Sequence, residues 1–272
     1  MNEPKLKTPS VARHPLAYRN EKFLDSDDAR ALRILAEYME PLARFEKENV
    51  PGTVVFFGSA RLQENGLLGQ YYSDARELAR LYTAWTNSLP AGTPRYLICS
   101  GGGNGIMEAA NRGAADAGGR TIGLNISLPE EQSANPYITP ELSFEFHYFF
   151  MRKLWFAHPA RAVVVFPGGF GTLDEMSEIL TLSQTRKLEG KMTVILYGEQ
   201  YRNEIINFEA LAKYGMIHKD DLELFSFAST PAQALDLLKR GITPELTAAP
   251  HGGYAKTRPA STAKYIYQRS GD

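Results

Sequence analysis

The stretch Ala162-Val163-Val164-Val165-Phe166-Pro167-Gly168-Gly169-Phe170-Gly171-Thr172 decides the fold. Its first five residues are apolar without a break, the pattern of a strand covered on both faces. Pro167 and the glycines then end that strand in a tight turn, and a helix is expected to about Lys187. The same unit occurs twice upstream. Thr53–Phe57 runs into Gly58-Ser59-Ala60-Arg61, followed by a helical stripe of Tyr71, Ala75, Leu78, Tyr82 and Trp85. Residues 96–99 run into Ser100-Gly101-Gly102-Gly103-Asn104-Gly105, followed by a small-residue helix over about 106–117. Further strands are expected at 121–126, 144–146, 192–197 and 222–227, and further helices at 152–158, 201–214 and 231–240. Strand and helix alternate, and right-handed crossovers then give an α/β, Rossmann-like doubly wound parallel sheet with helices on both faces. Ligands of such folds bind beyond the carboxyl ends of the strands. The turns at Gly58, Gly101 and Gly168 all lie at such ends, so they are expected to converge on one crevice.

Around this core, residues 1–50 read as a polar arm with three prolines, then a helical extension. Ser26-Asp27-Asp28 is a helix-start signal, and Leu32, Leu35, Met39 and Leu42 recur at helical spacing. Pro41 is expected to kink or split that helix. The Rossmann-like domain is expected over 51–241, and the Pro-, Gly-, Ser- and Thr-bearing segment 242–272 as a mobile tail.

The 272 residues, 43% of them hydrophobic, suit one large or two small globular domains and exclude a disordered chain. A formal charge of −1 supplies no global field for nucleic acid or an anionic membrane, and neither partner is expected. No apolar run is long enough for a membrane span, and the opening residues have no apolar signal core. The single cysteine, Cys99, leaves no disulfide or cysteine-rich zinc site. The five histidines show no paired ligand spacing, so no metal is expected. A cytoplasmic setting is the simplest expectation.

A strand–glycine turn–helix unit presents free backbone N–H groups at a positive helix end, which suits a phosphate. Turn geometry alone explains one glycine; two loops as glycine-rich as 101–105 and 168–171 favour the anion. The dinucleotide pattern fails, because Ile106 and Asp174 stand where its last glycine is required. The P-loop pattern fails too, because Met192 follows Gly190-Lys191. Glu175 is placed to stabilise an oxocarbenium-like sugar or orient a water. Equally, Thr172-x-x-Glu175 reads as a capping box, with Thr172 at the cap. Arg152 and Lys153 suit a phosphate or a departing base, against the plainer reading of a solvated pair at a helix start. Glu108 reads as a first-turn carboxylate complementing the helix dipole, and Cys99 as core.

Residues 167–175, Pro-Gly-Gly-Phe-Gly-Thr-Leu-Asp-Glu, match P-G-G-x-G-T-x-x-E and closely resemble the LOG (LONELY GUY) family, long labelled lysine decarboxylase-like. Phe57-Gly58-Ser59, the loop Gly101 to Met107, the pair Arg152-Lys153 and Gln184 resemble further family features in the same order, over about residues 53–240. Phe150-Met151 stand where the family usually has His-Glu. The resemblance implies an oligomer, at minimum a dimer, with no cofactor. It implies hydrolysis of the N-glycosidic bond of a nucleoside 5′-monophosphate, with cytokinin riboside monophosphates and AMP as familiar substrates. It places Arg152 and Glu175 in catalysis. Gly58, Ser59, Gly102, Gly103, Lys153, Gly168, Gly169, Gly171 and Thr172 are then expected to hold phosphate and ribose. Decarboxylation would need a Schiff-base lysine with partners for a pyridine nitrogen and a phosphate, and no lysine stands in such a setting. A non-catalytic nucleotide-binding or carrier protein, and glycosyl transfer to a second base, are the competing functions.

Overall fold

The structure is a computed structural model that describes residues 15–128, 133–188 and 192–247. Seven parallel strands form one sheet in the order β4-β3-β2-β1-β5-β6-β7. They are β1 (Thr53–Phe57), β2 (Leu97–Ser100), β3 (Thr121–Ile126), β4 (Ser143–Phe146), β5 (Ala160–Val165), β6 (Thr193–Tyr197) and β7 (Ser226–Ala228). The order reverses direction at β1, which pairs with β2 on one side and β5 on the other. That reversal opens a crevice beyond the carboxyl ends of β1 and β5.

The apolar runs explain the burial. Val55 and Phe57 face one layer, Val54 and Phe56 the other, and all four are buried. The first layer holds α2 (Arg30–Lys47), α5 (Phe149–Ala157) and α6 (Phe170–Gln184), packed through Phe45, Trp155, Phe156 and Met176. The second holds α3 (Gly69–Asn87), α4 (Ile106–Asp116) and α9 (Pro231–Thr247), packed through Leu78, Tyr82, Ile106 and Leu238. The short helices α1 (Glu21–Leu24), α7 (Glu199–Ile205) and α8 (Phe208–Lys213) lie between these elements in the chain. Helices therefore cover both faces of a doubly wound parallel sheet, as the sequence predicts.

Some local expectations change. The arm is helical in part: residues 17–19 and 27–29 are 3-10 turns and 21–24 is α1, while residues 1–14 lie outside the described residues. The α2 stripe of Leu32, Leu35 and Met39 is half exposed. Ile34, Tyr38, Leu42 and Phe45 face the core instead. Pro41 does not split α2, which runs unbroken through it. Proline has no N–H to give the carbonyl four residues back. That carbonyl, on Glu37, accepts the Trp155 indole N–H at 2.9 Å instead. The missing helix bond is thus replaced by a tertiary one. The Glu37 carboxylate also accepts the backbone N–H groups of His147 (2.7 Å) and Tyr148 (3.2 Å), capping α5. At the other end α9 reaches Thr247, beyond the expected end of the domain, and the remainder of the expected tail lies outside the described residues.

Candidate functional site

Three loops meet over the reversal point. The Ser59 N–H donates to the Pro167 carbonyl at 3.0 Å, joining the loops after β1 and β5. The Ile106 N–H donates to the Ser59 carbonyl at 3.1 Å, bringing in the loop after β2. The loops that carry Gly58, Gly102, Gly103 and Gly168 therefore lie side by side at the carboxyl ends of the strands.

The glycines are there for different reasons. At Gly58 a Cβ would strike the Ile106 side chain, and at Gly168 it would strike Thr172. Gly102 has φ +75° and packs on the Asn125 side chain. These three are fixed by the chain's own packing. Gly169 and Gly171 are not: neither has a positive φ, both are exposed, and a Cβ on either meets no atom within 4 Å. The open space lies at the start of α6, a helix of 15 residues with Gly169 as its N-cap. Unpartnered N–H groups and the positive helix end face that space.

The helix start overturns one reading of Glu175. The N-cap is Gly169, so Thr172 lies inside the first turn and is not the cap. Glu175 is then a second-turn residue, too far along to close a capping box. Its side chain is half-buried and, among the described residues, has no hydrogen-bond or ion-pair partner. Burial pushes its carboxyl up to about 7, against the opposing pull of the Arg152 and Lys153 charges. A half-buried carboxyl poised near neutrality in a crevice is a candidate acid–base or charge-stabilising group.

Arg152 is not part of a solvated pair. Its Nε donates to the Leu124 carbonyl at 2.7 Å and its Nη2 to the Gly101 carbonyl at 3.3 Å. The guanidinium lies 5.1 Å from the Phe156 ring centre. Burial lowers its pKa, and Glu175 is the foremost charge opposing that. Each of the two groups is therefore the other's main electrostatic partner. Lys153 faces α6 instead, pairing with Asp174 at 2.6 Å and Glu178 at 3.3 Å. Gln184, at the far end of α6, donates to Asp221 at 2.6 Å. Nine residues of helix, about 13 Å, separate it from Glu175. Glu108 accepts the Tyr72 hydroxyl at 3.1 Å.

A buried network behind the loop after β2 is not foreseen from the sequence. The Ser100 hydroxyl donates to Asn111 Oδ1 at 2.6 Å and accepts the Gly102 N–H at 3.0 Å. The Asn135 amide donates to the carbonyls of Gly102 (3.1 Å) and Gly103 (3.0 Å) and to Asn111 Oδ1 (2.9 Å). The loop's carbonyls are thus tied inward. The available signal is Asn111 itself, an amide set among Ala109, Ala110, Gly113 and Ala114 on the buried face of α4.

A cavity of about 480 Å³ lies at the opposite, amino-terminal end of the strands, beside Thr86, Arg95, Leu97 and Arg120. It is remote from the glycine loops. Cys99 is fully buried, and burial pushes its thiol up, as suits a core residue. Among the described residues no cluster of three metal-ligating side chains occurs, and no helix is long and apolar enough to cross a membrane.

Comparison with known proteins adds the following. The family model described as possible lysine decarboxylase matches residues 107–238. A probable cytokinin riboside 5′-monophosphate phosphoribohydrolase of Oryza sativa subsp. japonica is 28% identical over 145 residues, 52% of this chain and 61% of that protein. A cytokinin riboside 5′-monophosphate phosphoribohydrolase of Rhodococcoides fascians is 30% identical over 115 residues, 41% of this chain and 56% of that protein. The chain thus spans about three fifths of the curated relatives it matches. The X-ray structure of TM1055 aligns over 70% of this chain and 99% of its own, with 21% identity and a TM-score of 0.50. That likeness concerns the fold.

Proposed function

We propose that this chain, which is similar to the LOG family, acts as a member of it and hydrolyses the N-glycosidic bond of a nucleoside 5′-monophosphate, AMP or a cytokinin nucleotide. Free base and ribose 5-phosphate are the products. The observation that carries this reading is Glu175 on the second turn of α6, just beyond the open glycine loop, half-buried and, among the described residues, without a hydrogen-bond or ion-pair partner, with Arg152 as the foremost charge opposing its burial. A pure nucleotide carrier has no need for such a pair beside the sugar.

The 5′-phosphate is held by the N–H groups at the start of α6, around Gly168, Gly169, Gly171 and Thr172, with Gly58, Ser59, Gly102 and Gly103 completing the crevice. The ribose then lies toward Glu175. Water adds at C1′ as the C1′–N bond breaks, and its electron pair and a proton end on the base. As a carboxylate, Glu175 stabilises the positive charge growing at C1′ and orients the water. The Arg152 charge opposes the burial that favours protonated Glu175, and Arg152 faces the departing base. Lys153 orients α6 through Asp174 and Glu178 and contributes charge at longer range.

A pyridoxal phosphate Schiff base does not fit these residues. It needs an unpaired lysine in the crevice, whereas Lys153 is committed to two carboxylates. We further propose a homo-oligomer, at least a dimer. The exposed Leu35 and Met39 on α2, Phe149 and Phe150 on α5, and Phe170 on α6 support it.

Incubation with AMP and with isopentenyladenosine 5′-monophosphate, followed by chromatography of the free base, tests the proposal. Release from the cytokinin nucleotide alone identifies a cytokinin-activating enzyme, and release from both a broader hydrolase. Tight binding without release from either refutes hydrolysis of these substrates. The loop has its own test. Gly171→Ala meets no protein atom, so its melting temperature stays within about 2 °C of wild type, while KM for AMP rises about tenfold or more. Gly58→Ala, which strikes Ile106, loses about 1–3 kcal/mol of stability. Equal KM values for Gly171→Ala and wild type would remove the phosphate from this loop.

A further inference from the structure

Behind the loop after β5 lies a buried cation that, among the described residues, has no carboxylate partner; its guanidinium lies 5.9 Å from the Tyr201 ring centre. Arg202, on α7, is fully buried. Its Nη2 donates to the carbonyls of Val165 and Phe166, both at 3.3 Å. Its Nε and Nη1 have no hydrogen-bond partner among the described residues. Among the described residues no carboxylate forms an ion pair with it. The adjacent Tyr201 hydroxyl donates to the Gly168 carbonyl at 3.0 Å.

Two consecutive residues therefore hold three carbonyls of the strand-to-loop run 165–168. A trans peptide points its C=O and N–H in opposite directions. With the Gly168 carbonyl drawn toward Tyr201, the Gly169 N–H faces away from it, into the open crevice. A buried guanidinium without a counter-charge is costly to a fold. In return for that cost the fold gains from Arg202 only two 3.3 Å bonds to backbone carbonyls. The charge thus calls for a role outside folding, and an anion on the loop directly in front of it is the complementary partner.

We propose that Arg202 is a positioning residue for the substrate's phosphate: its ion-pair-free guanidinium, held against the β5 carbonyls behind the glycine loop, supplies the fixed positive charge that makes this loop select a phosphate monoester over the uncharged nucleoside. The assignment rests on the reading of the loop as a phosphate site. Its charge acts on the phosphate alike in the ground and transition states, so its loss appears in KM more than in kcat.

The test compares wild type with Arg202→Met, Arg202→Gln and Arg202→Lys. Calorimetry measures binding of AMP and adenosine, kinetics separates KM from kcat for AMP, and thermal melting is followed with and without AMP. Arg202→Met leaves the Val165 and Phe166 carbonyls without this donor, so it is expected to melt about 2–8 °C below wild type without ligand and to weaken AMP binding at least tenfold. Its adenosine affinity should stay within twofold of wild type. Arg202→Lys is expected to recover most of the AMP affinity, and Arg202→Gln to recover none. A folded Arg202→Met or Arg202→Gln protein that binds AMP within twofold of wild type overturns the assignment. So does a ligand-free melting temperature that drops equally in all three variants, with AMP and adenosine weakened alike, because that pattern belongs to a merely structural arginine. If wild type itself binds AMP no better than adenosine, the phosphate reading of the loop fails first, and this assignment with it.

Discussion

Glu175→Gln is expected to lose about a thousandfold or more in kcat for base release while folding like wild type. The amide has nearly the shape of the carboxyl but cannot carry the negative charge that faces C1′. No hydrogen bond or ion pair of Glu175 is broken by the change. The stability effect has a definite sign. The fold holds this carboxyl at about 7, above its ordinary 4.5, so folding favours the protonated form. Wild type therefore loses stability relative to Glu175→Gln as pH rises from about 4.5 to 7, and the gap is constant above. A displacement of that size corresponds to at most about 3 kcal/mol. Urea unfolding of both proteins at pH 5 and pH 8 checks it, with the variant's advantage appearing at pH 8. In wild type, kcat should climb about tenfold per pH unit below pH 7 and level off above it, as required of a working carboxylate. A Glu175→Gln protein that retains a tenth of wild-type kcat would take the residue out of the chemistry.

Arg152→Met combines two losses. The methionine cannot donate to the Leu124 and Gly101 carbonyls, which Arg152 joins at 2.7 and 3.3 Å. Leaving them unpartnered costs about 1–3 kcal/mol of stability. The variant also removes the main positive charge opposing burial at Glu175. The midpoint of the pH–kcat profile then moves above 7, while kcat/KM at pH 7 falls by about a thousandfold or more. Arg152→Lys keeps the charge but not the fork that reaches both carbonyls, and recovers only part of the rate. A pH midpoint unchanged in Arg152→Met would show that the two residues do not act as a pair.

The fold was legible because continuous apolar runs such as 53–57 and 162–165 leave a parallel strand little alternative. The crevice followed from topology, since three glycine-bearing turns at the carboxyl ends of strands must converge where the strand order reverses. Glu175 was half legible. Its spacing from Thr172 mimics a capping box, and the glycines at 169 and 171 look like loop by propensity although the helix begins at Phe170. The ambiguity disappears once Gly169 is seen to be the N-cap.

Contacts between distant segments were not legible. Nothing local to Pro41 announces that Trp155, more than a hundred residues away, takes over the carbonyl it leaves free. Nor does local sequence show that Glu37 caps the helix carrying Arg152. The extension thus bears on the site through α5. Arg202 was illegible for the same reason: an arginine in a short, polar helix reads as solvated, and only the tertiary fold buries it behind the loop.

Comparing wild-type kcat/KM for AMP and for adenosine, with free adenine as the readout, probes the phosphate loop and the bond cleavage together. Adenine release from AMP should exceed that from adenosine by about a thousandfold or more, because phosphate binding energy is used to place C1′ against Glu175. Equal rates from the two substrates, or AMP bound tightly and returned intact, would contradict hydrolysis driven from the glycine loop.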